Sequence, residues 1–574
     1  MKKNTLIVIV SLLIIIGGNQ IIAQSPTFNW AKSMGSSNSD RGKSIAIDLN
    51  GNVLTTGVFF VTSDFDPGAG IHNLTSNGDA DIFIQKLDPD GEFLWAKNIG
   101  GIFYDYGYAI TTDTSGNVYV AGSFKDTVDF DPGAGTYAVT PVGDYDFFVL
   151  KLDSNGDFVW AKTVGGSNED VAYSIIIDDS DNIYITGFFQ NTADFDTGAG
   201  TEEITSNGSR DIYILKINSA GDFIWAKTIG DDSFDAGNSI TLDSSENIYL
   251  TGYFYETVDF DPGAGIHENT SNGGRDFYIL KLSSSGDFVW VKTIGGTGGQ
   301  SQDDEGHSII IDPSGNAYIT GRYSLTVDFD PDVGVSNLTS NGENDLFIQK
   351  LDSDGEFIWA KSIGSTNPDY GNSISIDTEE NIFVVGNFNG TVDFDPGAGV
   401  SELTSTIGSD DTFILELDVD GDYVWAYSLG ETNWNSGPAI TTDSDDNIYT
   451  TGNFKGSVDF DPSTETHFLG TNGLSDIFVL KLGDDILGVS NNSLFESLYY
   501  YPNPTMNTIN MDFSKLYNKV TVQLTNYLGQ VVLIKTIKNT QQFSLQLEHL
   551  ETGIYLAEII TNSGNHTVVK IIKN

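Results

Sequence analysis

Short stretches in which apolar and polar residues alternate recur along most of the chain, each bounded by glycine, aspartate, asparagine or proline. Alternation at period two predicts β-strands with one buried face, and no stretch carries a sustained helical period. Four such strands make one unit, for example 238–243, 247–254, 276–282 and 287–292. The pattern therefore predicts an all-β protein.

The four-strand unit is repeated in tandem. Its fourth strand carries a Phe-x-Trp-Ala-Lys element whose tryptophan recurs every 65 residues through the first five copies and then after 69 and 66 residues. These tryptophans are Trp30, Trp95, Trp160, Trp225, Trp290, Trp359 and Trp425. Repeats of this length are typical of arrays and propellers.

The two ends of the repeat region are complementary. The strand around Trp30 has no first three strands before it, and the last three-strand set, ending at Leu482, has no fourth strand after it. If the N-terminal strand completes the last sheet, the open edge of a linear array disappears. The sequence therefore predicts a seven-bladed β-propeller over residues 24–482, closed by its N-terminal strand.

The turns within each unit have a defined chemistry. Asp88-Pro89-Asp90-Gly91 suits a type I turn followed by a left-handed glycine in a bulged hairpin. Four other copies place an acidic residue at the left-handed position of the turn between the first two strands, where glutamate is strained. These residues are Asp181, Glu246, Glu380 and Asp446.

The segments outside the repeats predict an exported protein. Residues 1–23 combine two lysines, a short apolar run and a terminal alanine, which indicates a secretory signal peptide. No later stretch approaches the roughly 20 apolar residues of a membrane-spanning helix, so no transmembrane segment is predicted in the mature chain. Residues 483–498 are interpreted as a linker, and 499–574 as a small C-terminal β-sandwich.

Two resemblances follow from motifs. With its Asn-x-Tyr-x-x-Gly, Asp-Phe-Asp-Pro-Gly and Phe-x-Trp-Ala-Lys elements, the unit resembles the SBBP family of bacterial seven-bladed β-propeller repeats over nearly all of residues 28–482. That resemblance implies an extracellular propeller with no defined reaction. The tail, with Tyr501-Pro502-Asn503-Pro504 and Leu550-Glu-Thr-Gly553-Ile-Tyr555, resembles the type A sorting domain of type IX secretion substrates.

The second resemblance implies a route and a destination. The protein would pass through the periplasm and reach the medium or the outer-membrane cell surface through the type IX machinery, its partner in export. It leaves open whether the tail is removed there or exchanged for a lipopolysaccharide anchor.

The charge narrows the partners further. The formal net charge is −53, yet residues 499–574 hold six lysines against four acidic residues, so the repeat region is the acidic part. Such a surface repels phosphates, which disfavours nucleic acids and anionic membranes as partners. It attracts cations, although acidic surface chiefly confers solubility. The absence of cysteine excludes disulfides and thiol chemistry.

Two acidic rings are the candidate sites. The first lies in the loop before each first strand, and we interpret its members as caps of backbone N–H groups. They are Asp40, Asp105, Asp170, Asp235, Asp304 and Asp369, with Asn435 in the seventh copy. No Ser-His-Asp set, histidine cluster or phosphate-binding glycine loop followed by a helix is evident.

The second ring is an Asp-Phe-Asp pair whose two carboxylates lie on one side of the chain. Both carboxylates are present in all seven copies while neighbouring turn residues vary, which raises a hard cation, calcium, as the candidate cofactor beside a turn-capping role. The candidate metal ligands are Asp64, Asp66, Asp129, Asp131, Asp194, Asp196, Asp259, Asp261, Asp328, Asp330, Asp393, Asp395, Asp459 and Asp461.

Three functions stay open at this point. The near-identical copies favour an exported interaction protein that presents loops on one face to a glycan, protein or surface partner. The alternatives are a cation-stabilised structural surface protein without a specific ligand and, less favoured, a hydrolase or lyase acting at the axial mouth. Catalysis needs an asymmetric site, and we expect asymmetry only in the insertion at 295–305 and around Trp434 and Asn435.

Overall fold

The protein is described from a computed structural model. It describes residues 26–298, 303–406, 408–430, 436–483, 498–501, 505–526, 531–550, 552–561 and 566–573. The predicted signal peptide, residues 1–23, and residues 484–497 of the predicted linker lie outside these ranges. The domain boundaries given above therefore stay predictions.

The described part of the repeat region contains forty β-strands. In chain order they are β1 (Thr27–Met34), β2 (Arg41–Ile47), β3 (Val53–Phe59), β4 (Thr62–Asp64), β5 (Asn73–Thr75), β6 (Asp81–Leu87), β7 (Phe93–Ile99), β8 (Tyr106–Thr112), β9 (Val118–Phe124), β10 (Val128–Asp129), β11 (Ala138–Val139), β12 (Asp146–Leu152), β13 (Phe158–Val164), β14 (Val171–Ile177), β15 (Ile183–Phe189), β16 (Thr192–Asp194), β17 (Glu203–Thr205), β18 (Asp211–Ile217), β19 (Phe223–Ile229), β20 (Ala236–Leu242), β21 (Ile248–Phe254), β22 (Thr257–Asp259), β23 (Glu268–Thr270), β24 (Asp276–Leu282), β25 (Phe288–Ile294), β26 (Glu305–Ile311), β27 (Ala317–Asp328), β28 (Asn337–Leu351), β29 (Phe357–Ile363), β30 (Tyr370–Ile376), β31 (Ile382–Phe388), β32 (Thr391–Asp393), β33 (Glu402–Thr404), β34 (Asp411–Leu417), β35 (Tyr423–Leu429), β36 (Ser436–Thr442), β37 (Ile448–Phe454), β38 (Ser457–Asp459), β39 (Phe468–Gly470) and β40 (Asp476–Gly483).

These strands form seven four-stranded antiparallel sheets in the described residues. Their orders are β2-β3-β6-β7, β8-β9-β12-β13, β14-β15-β18-β19, β20-β21-β24-β25, β26-β27-β28-β29, β30-β31-β34-β35 and β36-β37-β40-β1. In six sheets the loop between the second and third strands carries a short two-stranded hairpin, such as β4-β5. In the fifth sheet the long strands β27 and β28 extend into this hairpin themselves.

The core lies between neighbouring sheets. The second and third strands, such as β3 and β6, are buried along their whole length because both of their faces pack on other sheets. One cluster joins Ile82 and Ile84 of the first sheet to Val118, Val120 and Phe148 of the second. The first and fourth strands alternate instead between buried and partly exposed residues.

The ring closes through the N-terminal strand. β1 pairs antiparallel with β40, so that Ala31 lies opposite Leu480 and Met34 opposite Ile477. The first strands of successive sheets contact one another from β2 round to β36, and β36 contacts β2 again. The predicted all-β propeller closed by its N-terminal strand is confirmed.

The predicted left-handed turn positions are confirmed as well. Gly91 has φ 78°, and the acidic residues at the strained position, Asp181, Glu246, Glu380 and Asp446, have φ values between 60° and 66°. The backbone N–H of Glu246 donates to the carbonyl of Asp243 at 2.9 Å, which closes the turn.

The C-terminal tail is all-β. Its strands are β41 (Leu498–Tyr501), β42 (Thr508–Asn526), β43 (Val531–Gln546), β44 (Gly553–Thr561) and β45 (His566–Lys573). They belong to one five-stranded hydrogen-bonded sheet, because the long strand β42 pairs with β41, β43 and β44. Both halves of β42 contribute to a single core, through Met511 and Val522 among others.

The part of the chain that the structure describes has no helix with the length and hydrophobicity that a membrane crossing requires.

Candidate functional site on the loop face

One end of the ring, which we call the loop face, carries the loops from each fourth strand to the next first strand and from each second strand to the third. Asp105 links the two kinds of loop: its carboxylate accepts from the N–H of Gly101 at 2.7 Å and from the N–H of Lys125 at 2.9 Å. The equivalent two hydrogen bonds are accepted by the carboxylates of Asp40, Asp170, Asp235, Asp304 and Asp369. The first predicted ring is therefore a set of loop caps, as expected, while Asn435 lies outside the described residues.

These caps are completely enclosed. Burial raises the pKa of Asp105, Asp170 and Asp369 to about 7 and that of Asp235 to about 8. A second buried aspartate faces each cap and was not predicted from the sequence. It is the first residue of the third strand in six sheets, and Asp345 holds the same position inside the longer β28. The seven residues are Asp81, Asp146, Asp211, Asp276, Asp345, Asp411 and Asp476, of which Asp411 belongs to the copy whose cap position lies outside the described residues.

Asp81 shows the arrangement of this inner ring. Its Oδ2 accepts from the N–H of Asn77 at 2.8 Å, while Oδ1 is buried without a hydrogen-bond partner. Gly100 lies so close that an added Cβ would stand 2.3 Å from Asp81 Cγ, so only glycine fits there. Burial raises the pKa of Asp81 to about 6. The nearby Asp81 also adds to the raised pKa of Asp105, although burial is the larger cause.

The Asp-Phe-Asp pairs also act as caps. Asp64 Oδ1 accepts from the N–H of Asp66 at 3.1 Å and from the N–H of His72 at 2.8 Å, and Asp66 Oδ1 accepts from the N–H of Gly68 at 2.8 Å. Phe65 between them is buried in the core. The other six copies make the equivalent bonds.

A metal role for these pairs stays a prediction. Over the described ranges, no three His, Cys, Asp or Glu side chains are grouped so that they could hold a metal ion. Calcium at a pair would therefore need ligands beyond the carboxylates, from backbone or water oxygens.

The asymmetry of the molecule lies at the junctions between neighbouring sheets on the loop face. Five positions hold different residue types at different junctions. Two lie near the end of a sheet's second strand and one lies just before its third strand. The other two are the first and third residues of the first strand in the next sheet. At the first junction they are Val58, Phe60, Ala80, Tyr106 and Tyr108. At the junction of the last and first sheets they are Asn453, Lys455, Ser475, Arg41 and Lys43.

Aromatic rings fill the first junction. Tyr104 stacks on Tyr106 at 6.3 Å, Tyr106 on Tyr108 at 5.5 Å, and Tyr108 meets the edge of Tyr173 at 5.4 Å between centroids. We call Tyr104, Tyr106, Tyr108 and Tyr173 the tyrosine ladder. Its outer end is open to solvent, since Tyr104 is 40% and its neighbour Phe103 41% exposed.

Charged residues fill the junctions farther round. Arg210 pairs with Glu169 at 2.8 Å, and Glu305 binds both Arg275 and Arg322, the latter at 2.9 Å. Burial opposes the ionisation of Glu305, but His307 and the two arginines outweigh it and hold the pKa of Glu305 well below its usual range. Glu305 is therefore a structural anion rather than a free base.

Sequence reasoning missed these residues because it looked for motifs that repeat. The useful signal was the opposite one, namely the five positions at which the copies disagree. All four arginines of the chain, Arg41, Arg210, Arg275 and Arg322, stand at such positions. The expected asymmetry at 295–305 is present in part, since Asp303 and Glu305 pair with Arg275, but 299–302 and 431–435 lie outside the described residues.

Comparison with known families accounts for both parts of the chain. Residues 94–123, 289–322 and 358–392 match the β-propeller repeat called SBBP, and residues 499–574 match a secretion system C-terminal sorting domain. The chain carries SBBP propeller repeats and a C-terminal sorting domain. The protein is therefore a secreted or outer-membrane cell-surface protein that leaves the cell by type IX secretion.

Two curated relatives are distant. An uncharacterised WD repeat-containing protein of Acanthamoeba polyphaga mimivirus is 25% identical over 499 residues, which cover 74% of this chain and 36% of the relative. The regulatory protein FlaEY of Caulobacter vibrioides is 23% identical over 192 residues, covering 33% of this chain and 20% of that protein. The chain thus spans 36% of the first relative's length and 20% of the second's.

Solved structures add little. A fungal alcohol oxidase of the AA5 family in complex with copper aligns with 96% of this chain and 99% of its own at 9% identity and a TM-score of 0.36. Sqt1 from Chaetomium thermophilum aligns with 80% of this chain and 100% of its own at 10% identity and the same TM-score. Similarity at this level carries no conclusion about this protein.

Proposed function

We propose that this secreted propeller is an interaction protein that binds a glycan through the tyrosine ladder of the loop face. The observation that supports the proposal is an asymmetry: the loop at 100–105 presents Ile102, Phe103 and Tyr104 to solvent, while the same loop of the first copy holds Ser37, Asn38 and Ser39. The second copy thus places three consecutive apolar residues in this loop, whereas the fourth copy carries the single exposed ring of Phe234 there.

The chemistry of the ladder suits a sugar. Stacked tyrosines offer apolar ring surface together with hydroxyl groups that donate and accept hydrogen bonds, and sugars present apolar C–H faces edged by hydroxyls. The open end consists of two aromatic residues, which is small against the roughly 800 Å² that each partner buries in a stable protein–protein interface. This size favours a glycan over a protein surface.

The other two functions receive less support. A hydrolase or lyase at the mouth would need a free acid or base, but Glu305 is bound by Arg275 and Arg322 and contacts His307. A structural, cation-stabilised protein without a ligand would leave the exposed aromatic loop without a role. It stays the alternative that a binding experiment must exclude.

The test is a glycan array probed with the mature full-length chain, with and without calcium. The variant Ile102→Ser, Phe103→Asn, Tyr104→Ser places the residues of the first copy's loop in the second copy. The loop backbone should tolerate them because the same residues occupy the equivalent loop of the first copy. The control is Phe234→Ser, which removes an exposed aromatic residue from the equivalent position in the fourth copy.

We expect array binding by the unmodified chain and by the Phe234→Ser control, and its loss in the triple variant at an unchanged melting temperature. An array without any bound glycan would contradict glycan binding. A triple variant that binds as well as the unmodified chain would contradict the ladder as the site.

A further inference from the structure

A basic pocket lies beside the tyrosine ladder, where the last sheet meets the first. Its cavity measures about 430 Å³ and is lined by Ser39, Arg41, Lys43, Asn453, Lys455 and Ser475, besides Leu474. This volume is within the range of about 300–1,000 Å³ that is usual for small-ligand sites. Three cationic side chains thus share one cavity in a protein whose net charge is −53.

Arg41 and Lys43 differ from the other three arginines of the loop face in having no ion pair among the described residues. Arg210, Arg275 and Arg322 are each paired with Glu169 or Glu305. In the part of the chain that the structure describes, neither Arg41 nor Lys43 lies within 4.0 Å of a carboxylate oxygen.

Two carboxylates at the same junction, those of Asp40 and Asp476, accept hydrogen bonds from backbone N–H groups. Asp40 is fully buried and accepts from the backbone N–H groups of Ser36 and Phe60, while Asp476 accepts from the N–H of Asn472. Burial, and then the charge of Arg41, lowers the pKa of Lys43, as expected for a partly enclosed ammonium group without a counter-ion. An unpaired cation in such a place is costly, and a bound anion would offset that cost.

The polar neighbours add hydrogen-bonding capacity. Ser39 Oγ lies 2.7 Å from Ser475 Oγ, and both line the cavity with the amide of Asn453. A guanidinium that binds two oxygens of one group, an ammonium and several hydroxyl or amide groups together match an oxyanion carried on a hydroxyl-rich molecule. Arg41 and Tyr106 of the ladder are the first residues of the neighbouring strands β2 and β8, which contact each other.

We propose that this pocket binds the carboxylate or sulfate group of an acidic sugar residue, while the ladder holds the neighbouring part of the same glycan. The proposal rests on the proposed glycan-binding function and narrows its ligand to an acidic glycan. The shared chemistry is a sugar-borne oxyanion, and experiment can separate its two sources.

The experiment measures the affinities of the full-length mature chain for glucuronate, glucose 6-sulfate and glucose by ligand-observed NMR titration. We expect at least one acidic sugar to bind about tenfold more tightly than glucose at 50 mM NaCl. This preference should shrink at 500 mM NaCl because salt screens the two cations. A preference for glucuronate would identify a carboxylate as the ligand group, and a preference for glucose 6-sulfate a sulfate.

Variants locate the effect. Arg41→Gln with Lys43→Gln should abolish the preference for the acidic sugar and leave the affinity for glucose within about twofold. The control, Lys32→Gln with Lys97→Gln, removes two cations that pair with Glu92 and Asp157 elsewhere, and it should keep the preference. Because Arg41 is exposed, Arg41→Gln alone serves as a second variant that leaves the buried part of the pocket intact.

Equal affinities for glucose and both acidic sugars would overturn the proposal, as would a control that loses the preference to the same extent. In either case array binding that depends on the ladder would leave the glycan-binding function standing. Failure of the array itself would instead remove the function on which the pocket proposal rests.

Discussion

The indole N–H of Trp30 donates a hydrogen bond to the carbonyl oxygen of Pro89 across 3.1 Å, which joins the last sheet of the ring to a turn of the first. Two junctions inside the chain have the equivalent bond, since Trp95 and Trp160 donate to the carbonyls of Ser154 and Ser219 at 3.3 Å. The point at which the ring closes is therefore built like the covalently continuous junctions.

Removing this indole bond should cost the same at the closure as elsewhere. We expect Trp30→Phe and Trp160→Phe each to lower the free energy of unfolding by about 1 kcal/mol, the usual net value of one hydrogen bond. Guanidinium denaturation followed by circular dichroism measures both. A Trp30→Phe variant as stable as the unmodified chain, beside a destabilised Trp160→Phe variant, would show that the closure is looser than an internal junction.

Deletion of the whole strand β1 should destabilise the protein more than loss of the single indole hydrogen bond. Deleting residues 26–34 removes the buried Ala31 and Met34 and leaves β40 as an open edge. Open edges pair with other chains, so the deletion variant should unfold at a lower temperature and associate at micromolar concentration. Calorimetry and size-exclusion chromatography test this, and an unchanged, monomeric variant would contradict ring closure.

The buried aspartates predict how stability depends on pH. The pKa is raised to about 6 for Asp81 and Asp146 and to about 7 for Asp105 and Asp170, so the folded chain keeps protons that the unfolded chain has released. Their contribution to stability is fully present below the unfolded value near 3.8 and is lost as the pH rises through the folded values of about 6 and about 7. The melting temperature should therefore be higher at pH 5.5 than at pH 8.

A pair of single variants separates this effect from general charge repulsion. Asp81→Asn removes one buried titrating group and should flatten the fall in melting temperature between pH 5.5 and 8. Asp64→Asn removes one charge from a partly exposed cap and should leave the slope nearly unchanged. Identical slopes for both variants and the unmodified chain would show that the buried pairs do not control the pH dependence.

The regular part of the fold was predictable because one constraint repeats. The Trp30 strand without a unit and the Leu482 edge without a partner required closure, and the turn sequence around Gly91 required a left-handed residue. The inner ring of Asp81 was not predictable, since an aspartate at the start of a strand does not reveal that Gly100 packs on its carboxyl group. The tyrosine ladder was not predicted because its residues stand at positions where the copies differ. These positions come together only where neighbouring sheets meet.

Calcium at the Asp-Phe-Asp pairs remains a separate prediction. Millimolar calcium should raise the melting temperature more than magnesium does, because magnesium keeps its waters and requires octahedral geometry. Substituting Asn for both Asp259 and Asp261 keeps an oxygen that can accept from the N–H groups of His267 and Gly263 but removes the charge. The calcium-specific part of the rise should then decrease, whereas equal shifts with calcium, magnesium and ionic-strength-matched sodium would leave the pairs as caps alone.

The sorting domain predicts where a truncated chain goes. A protein that ends at Leu482 should fold but fail to reach the cell surface in a host with the type IX system, because residues 499–574 are the sorting domain. Fractionation with surface proteolysis would measure this. A truncated chain on the surface in normal amounts would show that another part of the protein carries the export signal.

The most direct test of the central claim is hydrogen–deuterium exchange of the mature chain with and without the glycan that gives the strongest array signal. If the ladder and the adjoining pocket form the site, amide exchange should slow in the peptides that cover 100–108 and 36–44 and stay unchanged in the equivalent 230–238 of the fourth copy. Protection confined to the Asp-Phe-Asp loops, or spread equally over all seven copies, would contradict a single asymmetric site on the loop face.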